Sequence, residues 1–212
     1  QFTPGAGNWC TWMFGRDLVN WNNNFTWAKW VTPSRDLIST FKQEGDEVRF
    51  KESVVYYDCG WSNYYPSDNY PFMYKCRSAN SSIIKYRYAD VLLLKAEALI
   101  MQDTPDLEGA ADIIDEVRDR AKLGALSSST RSNKDALLNA LLKERRLELA
   151  FEGQRWFDLV RLDKVEEVMN AVHAKDSGRK AQVYTYDKNS YRLPIPQSVI
   201  DANDKIHQNP GY

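Results

Sequence analysis

The sequence has few residues of the kinds that hold metals or cross-link chains. Its three cysteines, Cys10, Cys59 and Cys76, follow no metal-ligand spacing. Its two histidines, His173 and His207, have no H-E-x-x-H or comparable partner. We therefore predict no metal site and no cofactor. The sequence does not decide whether Cys59 and Cys76 form a disulfide, because pairing needs a geometry that sequence does not give.

Long apolar runs and clustered positive charge are also absent. The most apolar stretch, residues 88–101, is interrupted by Asp90, Lys95 and Glu97, so it is not expected to span a bilayer. A formal net charge of -1 and a pI near 6.2 give no basic field, and we expect no nucleic-acid partner. The sequence begins at Gln1 instead of an initiator methionine, and no signal-peptide pattern precedes the globular sequence. We therefore interpret it as a C-terminal fragment.

Tryptophan is plentiful and is concentrated at one end of the chain. Six of the seven tryptophans fall within residues 1–74, among many asparagines, glycines and prolines, which predicts long structured loops. One helix is expected there, with Thr32 as N-cap, Pro33 at its first position and Gly45 at its end, followed by short strands within residues 47–57. For any single tryptophan, burial in the core is the ordinary role.

Residues 83–175 are predicted to be helical. The first helix, over residues 83–102, is apolar on nearly every side, which is typical of a helix between two packed layers. A second helix is expected from an N-cap at Thr104 to Gly124, forming a hairpin with the first of the size of a tetratricopeptide-like unit. A third should cover residues 135–151, with Asn133 or Ser132 as its N-cap, and end in a sharp turn at Glu152 and Gly153.

Charged residues interleave with large apolar residues between Lys143 and Arg161, so some of these charges must lie near the core. We interpret them as an ion-pair network that braces the helix corner, with an acid/base active site as the alternative. Arg87 and Asp90, spaced i and i+3, are expected to pair with each other. Beyond the corner, short helices are predicted over residues 154–162 and 165–174. Residues 183–191 are predicted to form either an edge strand or a clamp over the core.

Three segments occur in a characteristic order: YRYADVLLLKAEALIM at residues 86–101, ERRLELAFEGQRWFDLVR at 144–161, and YRLPIPQSVIDANDKIHQNPGY at 191–212. Each resembles a motif of the SusD/RagB family, the surface nutrient-binding lipoproteins of Bacteroidetes. Residues 32–49 are a looser fourth match. The resemblance implies a mainly helical, tetratricopeptide-like fold with long aromatic loops and minor short strands.

The resemblance also implies a function. Relatives bind oligosaccharide or polysaccharide without catalysis, deliver it to a SusC-like TonB-dependent transporter, and are lipid-anchored at the outer-membrane surface. Aromatic rings that stack on sugars and polar neighbours that hydrogen-bond them are the contacts such a ligand needs. Our candidate ligand-binding residues are six rings and three polar neighbours: Trp9, Trp12, Trp27, Trp30, Trp61 and Tyr64, with Asn22, Asn23 and Asp68.

We predict a single domain over residues 1–212, with an aromatic loop-rich part (1–82), a helical part (83–175) and a wrapping tail (176–212); the family's N-terminal portion would be absent. One alternative is a glycoside hydrolase using two carboxylates among Asp17, Asp58 and Asp68. The other is a helical-repeat scaffold that binds a protein partner.

Overall fold

The computed structural model describes residues 32–58, 69–75, 84–175 and 185–212. These residues belong to two compact units, one ending at Arg155 and the other beginning at Trp156. The described chain is mainly helical with a two-stranded sheet, which confirms the predicted fold class.

Helix α1 (Arg35–Glu44) begins two residues later than the sequence predicts. Ser34, rather than Thr32, is its N-cap, because the Ser34 hydroxyl accepts a hydrogen bond from the amide of Leu37 at 3.1 Å. Gly45 ends the helix as predicted, with a φ of 69° that glycine adopts without steric strain.

A helix and a β-hairpin follow α1. Helix α2 (Glu47–Ser53) occupies most of the region predicted as strand, because the Asp46 side chain caps it by accepting a hydrogen bond from the Arg49 amide at 3.1 Å. The strand prediction is correct only for β1 (Val54–Tyr57). Strand β1 pairs antiparallel with β2 (Tyr70–Met73).

Helices α3 (Tyr88–Met101) and α4 (Leu107–Arg120) form the predicted hairpin. Two boundaries of α4 differ from the prediction. Its N-cap is Asp106 instead of Thr104, with the Asp106 carboxylate accepting from the Gly109 amide at 2.9 Å. Its end comes at Arg120, before a left-handed Lys122, and not at Gly124.

Helix α5 (Ser128–Arg131) leads into α6 (Lys134–Glu148), whose N-cap is Asn133, one of the two predicted caps. Helices α3, α4 and α6 share one core, made of small and aliphatic side chains: Leu93, Ala96, Ile100, Ala110, Ala111, Ile114, Val117, Leu137 and Leu141. The chain turns after Glu148 with positive φ angles at Phe151 and Gly153, so the predicted corner is present.

Helix α7 (Arg155–Arg161) starts at the last residue of the first unit, and its other residues belong to the second unit. The second unit also contains α8 (Val165–Lys175) and α9 (Gln197–Asp201). The strand prediction is wrong at residues 188–191, which form a 3-10 helix because the Asp187 carboxylate caps its first turn. The Asn170 side chain holds the Tyr186 backbone by two hydrogen bonds, of 2.9 and 3.0 Å.

Candidate functional site

All nine predicted ligand-binding residues lie outside the described part of the chain, so they stay predictions: Trp9, Trp12, Asn22, Asn23, Trp27, Trp30, Trp61, Tyr64 and Asp68. They fall in two segments, residues 1–31 and 59–68. The three cysteines lie outside the described residues as well.

The two segments join the described structure close together. Tyr57 pairs with Tyr70 at the end of the β-hairpin, so residues 58–69 form the connection between the two strands. The other segment ends at Thr32, whose hydroxyl shares a 2.5 Å hydrogen bond with the Tyr70 hydroxyl. The β-hairpin is therefore the attachment point for both segments that carry the predicted ligand contacts.

Charged residues, most of them buried or partly buried, support this hairpin from the helical side. We call them the carboxylate cluster; it consists of three glutamates and the five basic residues that bind them: Glu144, Glu148, Glu152, Arg49, Lys75, Arg87, Arg118 and Arg120. Its members come from α2, α4, α6, the helix corner and the segments on either side of residues 76–83. The predicted ion-pair network at the corner is confirmed.

Glu148 is the centre of the cluster. Its carboxylate accepts from Arg87 at 2.5 Å, from Arg49 at 3.0 Å and from Arg120. Burial by itself would raise the pKa of Glu148, but the hydrogen bonds and charges of these arginines lower it to about 2. This carboxylate is therefore held as an anion at every ordinary pH.

At Glu144, one helical turn earlier, burial affects the carboxyl pKa more than the neighbouring arginines do. It accepts from Arg49 at 2.6 Å and from Arg118 at 3.3 Å. Burial raises the pKa of the Glu144 carboxyl, and its two arginines offset this effect only in part. Arg49 also contacts Asp46 at 2.6 Å, so one guanidinium joins α2 to two turns of α6.

Lys75 connects the other strand of the hairpin to the helix corner. Its ammonium lies 2.5 Å from the Glu152 carboxylate and donates to the Glu148 backbone carbonyl at 2.6 Å. Burial lowers the pKa of Lys75 despite the attraction of Glu152. Because Arg49 precedes β1 and Lys75 follows β2, ion pairs to the same helix and corner fix both strands of the hairpin.

A second buried pair corrects one prediction. Arg87 and Asp90 do not pair with each other: Arg87 binds Glu148 and Glu152, whereas Asp90 binds Arg145 at 2.9 Å. Asp90 and Arg145 are almost fully buried, with side chains 3% and 2% exposed. Local spacing could not reveal these partners, because Arg145 lies 55 residues from Asp90 along the chain.

The cluster's chemistry favours support over catalysis. Both oxygens of each of the three glutamates contact an arginine or lysine, so none is placed to exchange a proton with a substrate. Across residues 32–58, 69–75, 84–175 and 185–212, no group of His, Cys, Asp or Glu is arranged to hold a metal ion. No helix in those ranges is long and apolar enough to cross a membrane.

Comparison with known proteins establishes the family. The model of the SusD family matches residues 68–212, more than half of the chain, and this chain belongs to that family. It is 41% identical over 139 residues to SusD-like protein P38 of Formosa agariphila. That match covers 63% of this chain and 25% of the relative, so the chain spans about a quarter of the relative's length.

Solved structures agree with this assignment. A SusD superfamily protein from Bacteroides vulgatus superposes with a TM-score of 0.66 at 23% identity, over 85% of this chain and 44% of its own, which is a likeness of fold. A laminarin-binding SusD-like protein superposes with a TM-score of 0.54 at 28% identity, over 85% of this chain and 38% of its own.

Proposed function

We propose that this chain is part of a cell-surface protein that binds oligosaccharide or polysaccharide without chemically changing it. The observation that carries the proposal is membership of the SusD family. A SusD-like protein that binds laminarin superposes over most of the chain, which supports a glycan as ligand. The tryptophan-rich composition of residues 1–74 supplies the stacking surfaces that such a ligand requires.

The binding residues in this proposal are the nine predicted from the sequence. The six rings, at Trp9, Trp12, Trp27, Trp30, Trp61 and Tyr64, stack on pyranose faces, while Asn22, Asn23 and Asp68 bond the hydroxyls. The attachment of both segments at one hairpin favours a single shared site. The ion pairs of Arg49 and Lys75 supply a rigid support, which lowers the entropy lost when a ligand is bound.

The proposal includes location and partner. The protein is lipid-anchored on the outer membrane and passes its glycan to a SusC-like TonB-dependent transporter. Both features rest on the family resemblance. Co-purification of a TonB-dependent transporter with the tagged full-length protein from its native membrane is the expected result, and recovery of the protein alone would contradict the partner assignment.

Calorimetric titration of the full-length protein with laminarin oligosaccharides tests glycan binding. We expect saturable binding that Trp61→Ala weakens by roughly 1–3 kcal/mol, by analogy with loss of a stacked ring. Trp156→Phe is the matched control, because Trp156 lies in α7 near the ring of Tyr186, 6.4 Å away. Release of reducing ends that Asp58→Asn or Asp68→Asn abolishes would show a hydrolase and overturn the non-catalytic assignment.

A further inference from the structure

Tyr70 is the residue at which the two segments that carry the predicted ligand contacts are joined. Its backbone pairs with that of Tyr57, which lies just ahead of residues 59–68. Its hydroxyl shares a 2.5 Å hydrogen bond with the hydroxyl of Thr32, which directly follows residues 1–31. We call this contact between Thr32 and Tyr70 the hydroxyl bridge. One side chain thus fixes the spacing between the points where the two segments enter the fold.

The ring of Tyr70 is held in place by packing as well as by its hydroxyl. The residue is 4% exposed, and its ring centroid lies 4.9 Å from that of Phe72. The Phe72 ring packs edge-on against Tyr57, with 6.3 Å between the centroids. The strand register places these three rings on one face of the hairpin. Removal of the Tyr70 hydroxyl alone therefore leaves the ring packing in place.

Helix α1 and the hairpin are each anchored to α6 by contacts other than the bridge. In α1, the Asp36 carboxylate binds Arg146 at 2.5 Å. At the end of the hairpin, Lys75 donates to the Glu148 carbonyl at 2.6 Å. Loss of the bridge therefore leaves both elements attached to the helix. What the bridge fixes is their spacing at the residues where the two segments begin.

A pair of hydroxyls is suited to fixing a spacing. A hydrogen bond weakens steeply when its length or angle changes, whereas apolar side chains can slide past each other at little cost. Replacement of both bonded groups by apolar groups of the same shape is often nearly neutral for stability. The two hydroxyls at residues 32 and 70 therefore contribute a defined position more than they contribute stability.

We infer that Tyr70 is a positioning residue for the glycan site, and that the hydroxyl bridge holds the two segments at the spacing a bound glycan needs. The inference rests on the proposed glycan binding, whose contacts are divided between residues 1–31 and 59–68. Tyr70 acts through those segments, since its own side chain is buried. A ligand that contacts both segments binds more tightly when their spacing is set beforehand, because less ordering opposes binding.

Calorimetric titration of the full-length protein with laminarin oligosaccharides, at a temperature where every variant is folded, tests the inference. Tyr70→Phe removes one oxygen atom and should raise the dissociation constant by about five- to tenfold. Tyr56→Phe is the matched control. Tyr56 pairs with Pro71 on the opposite face of the same hairpin, with its ring near Phe50. Its variant should bind with the wild-type dissociation constant.

Thr32→Val provides the second arm of a double-variant cycle. It should weaken binding to a similar degree as Tyr70→Phe. The Thr32→Val/Tyr70→Phe double variant should bind no more weakly than Tyr70→Phe, because both changes remove the same bond. Losses that multiply in the double variant would overturn the inference. So would an equal loss of affinity in Tyr56→Phe.

A purely structural role for Tyr70 gives a different pattern. It would lower the unfolding midpoint of Tyr70→Phe and leave the dissociation constant at the wild-type value, which would also overturn the inference. If wild type binds no glycan, glycan capture fails, and amide exchange of the unliganded protein decides the role of the bridge. Exchange in peptides from residues 1–31 and 59–68 should then be faster in Tyr70→Phe than in Tyr56→Phe. Equal exchange in the two variants would contradict positioning.

Discussion

Replacement of Glu148 by glutamine should destabilise the first unit strongly. The substitution keeps the size and shape of the side chain, so no cavity contributes to the effect. It removes the one negative charge that Arg49, Arg87 and Arg120 share, and it directs an amide group at three cations. Because the Glu148 side chain is only 2% exposed, water cannot replace the lost carboxylate.

The size of the effect follows from two independent estimates. The pKa of Glu148 falls from 4.5 to about 2, which corresponds to about 3 kcal/mol of preference for the charged form in the folded state. Removing one partner of a buried ion pair costs roughly 3–5 kcal/mol in other proteins. We expect the lower end, about 3 kcal/mol, because Arg49 keeps Glu144 and Arg87 keeps Glu152.

The pH dependence gives a sharper test. The folded-state pKa of Glu148 is depressed, so its contribution is fully present above the unfolded value of 4.5 and is lost as pH falls toward about 2. The difference in unfolding free energy between wild type and Glu148→Gln should therefore be largest near neutral pH and shrink below pH 4.5. Urea unfolding followed by circular dichroism measures it, with hydrogen exchange of peptides from α6 to isolate the first unit.

Glu108→Gln is the matched control for this prediction. Glu108 also binds an arginine, Arg131, but its side chain is 73% exposed, so solvent replaces the lost interaction. We expect its unfolding midpoint to stay near that of wild type. A Glu148→Gln variant as stable as Glu108→Gln, or one whose deficit does not change with pH, would refute the central role given to Glu148.

Three further predictions concern other parts of the first unit. Asp90→Ala should cost roughly 3–5 kcal/mol of unfolding free energy because it leaves Arg145 buried without its carboxylate, and the Asp90→Ala/Arg145→Ala double variant should lose clearly less than the sum of the two single losses. The pKa of Glu144 is raised in the folded state, so its contribution to the unfolding free energy is present at low pH and is lost as pH rises above 4.5. Wild type should therefore lose stability relative to Glu144→Gln as pH rises through that range. An opposite trend in urea titrations would refute the assignment. Gly45→Ala should cost about 1 kcal/mol because its φ is 69°, whereas Gly124→Ala, with equal space and no positive φ, should be near neutral; equal thermal midpoints for the two variants would contradict this.

The sequence predicts the helices well because their signals are local. Asn133 caps α6, and Gly45 ends α1, as their residue types suggest. The buried charges of the corner are also predictable, since charged residues that interleave with large apolar ones must meet the core. The motifs that resemble the SusD/RagB family lie in several of the same helices, and the match to the SusD family model confirms the resemblance.

Local signals fail where two residues offer the same chemistry or where the partner is distant in sequence. Thr104 and Asp106 are both good caps, and the Asp106 carboxylate is the one that reaches the Gly109 amide. Helix α4 ends before Gly124, because the chain already turns at Lys122, and Arg118 donates to the Gly124 carbonyl at 2.9 Å beyond that turn. Spacing alone likewise gives no means of joining Arg49 to carboxylates 95 and 99 residues away.

The proposed ligand contacts have the weakest basis in sequence. The same residue types stack on sugars and fill protein cores, so no sequence pattern within residues 1–31 or 59–68 separates the two roles. The described structure adds only that both segments join at the β-hairpin, through Thr32 and Tyr70. Separating the roles requires a measurement on the rings themselves.

Tryptophan fluorescence of the full-length protein, titrated with plant, fungal and host oligosaccharides, tests the central claim most directly. Glycan capture predicts a saturable emission shift with one class of glycan, retained in Trp156→Phe and reduced by changes among Trp9, Trp12, Trp27, Trp30 and Trp61. An absence of any shift across the panel, together with no heat of binding, would contradict glycan capture and leave only the SusD-family fold.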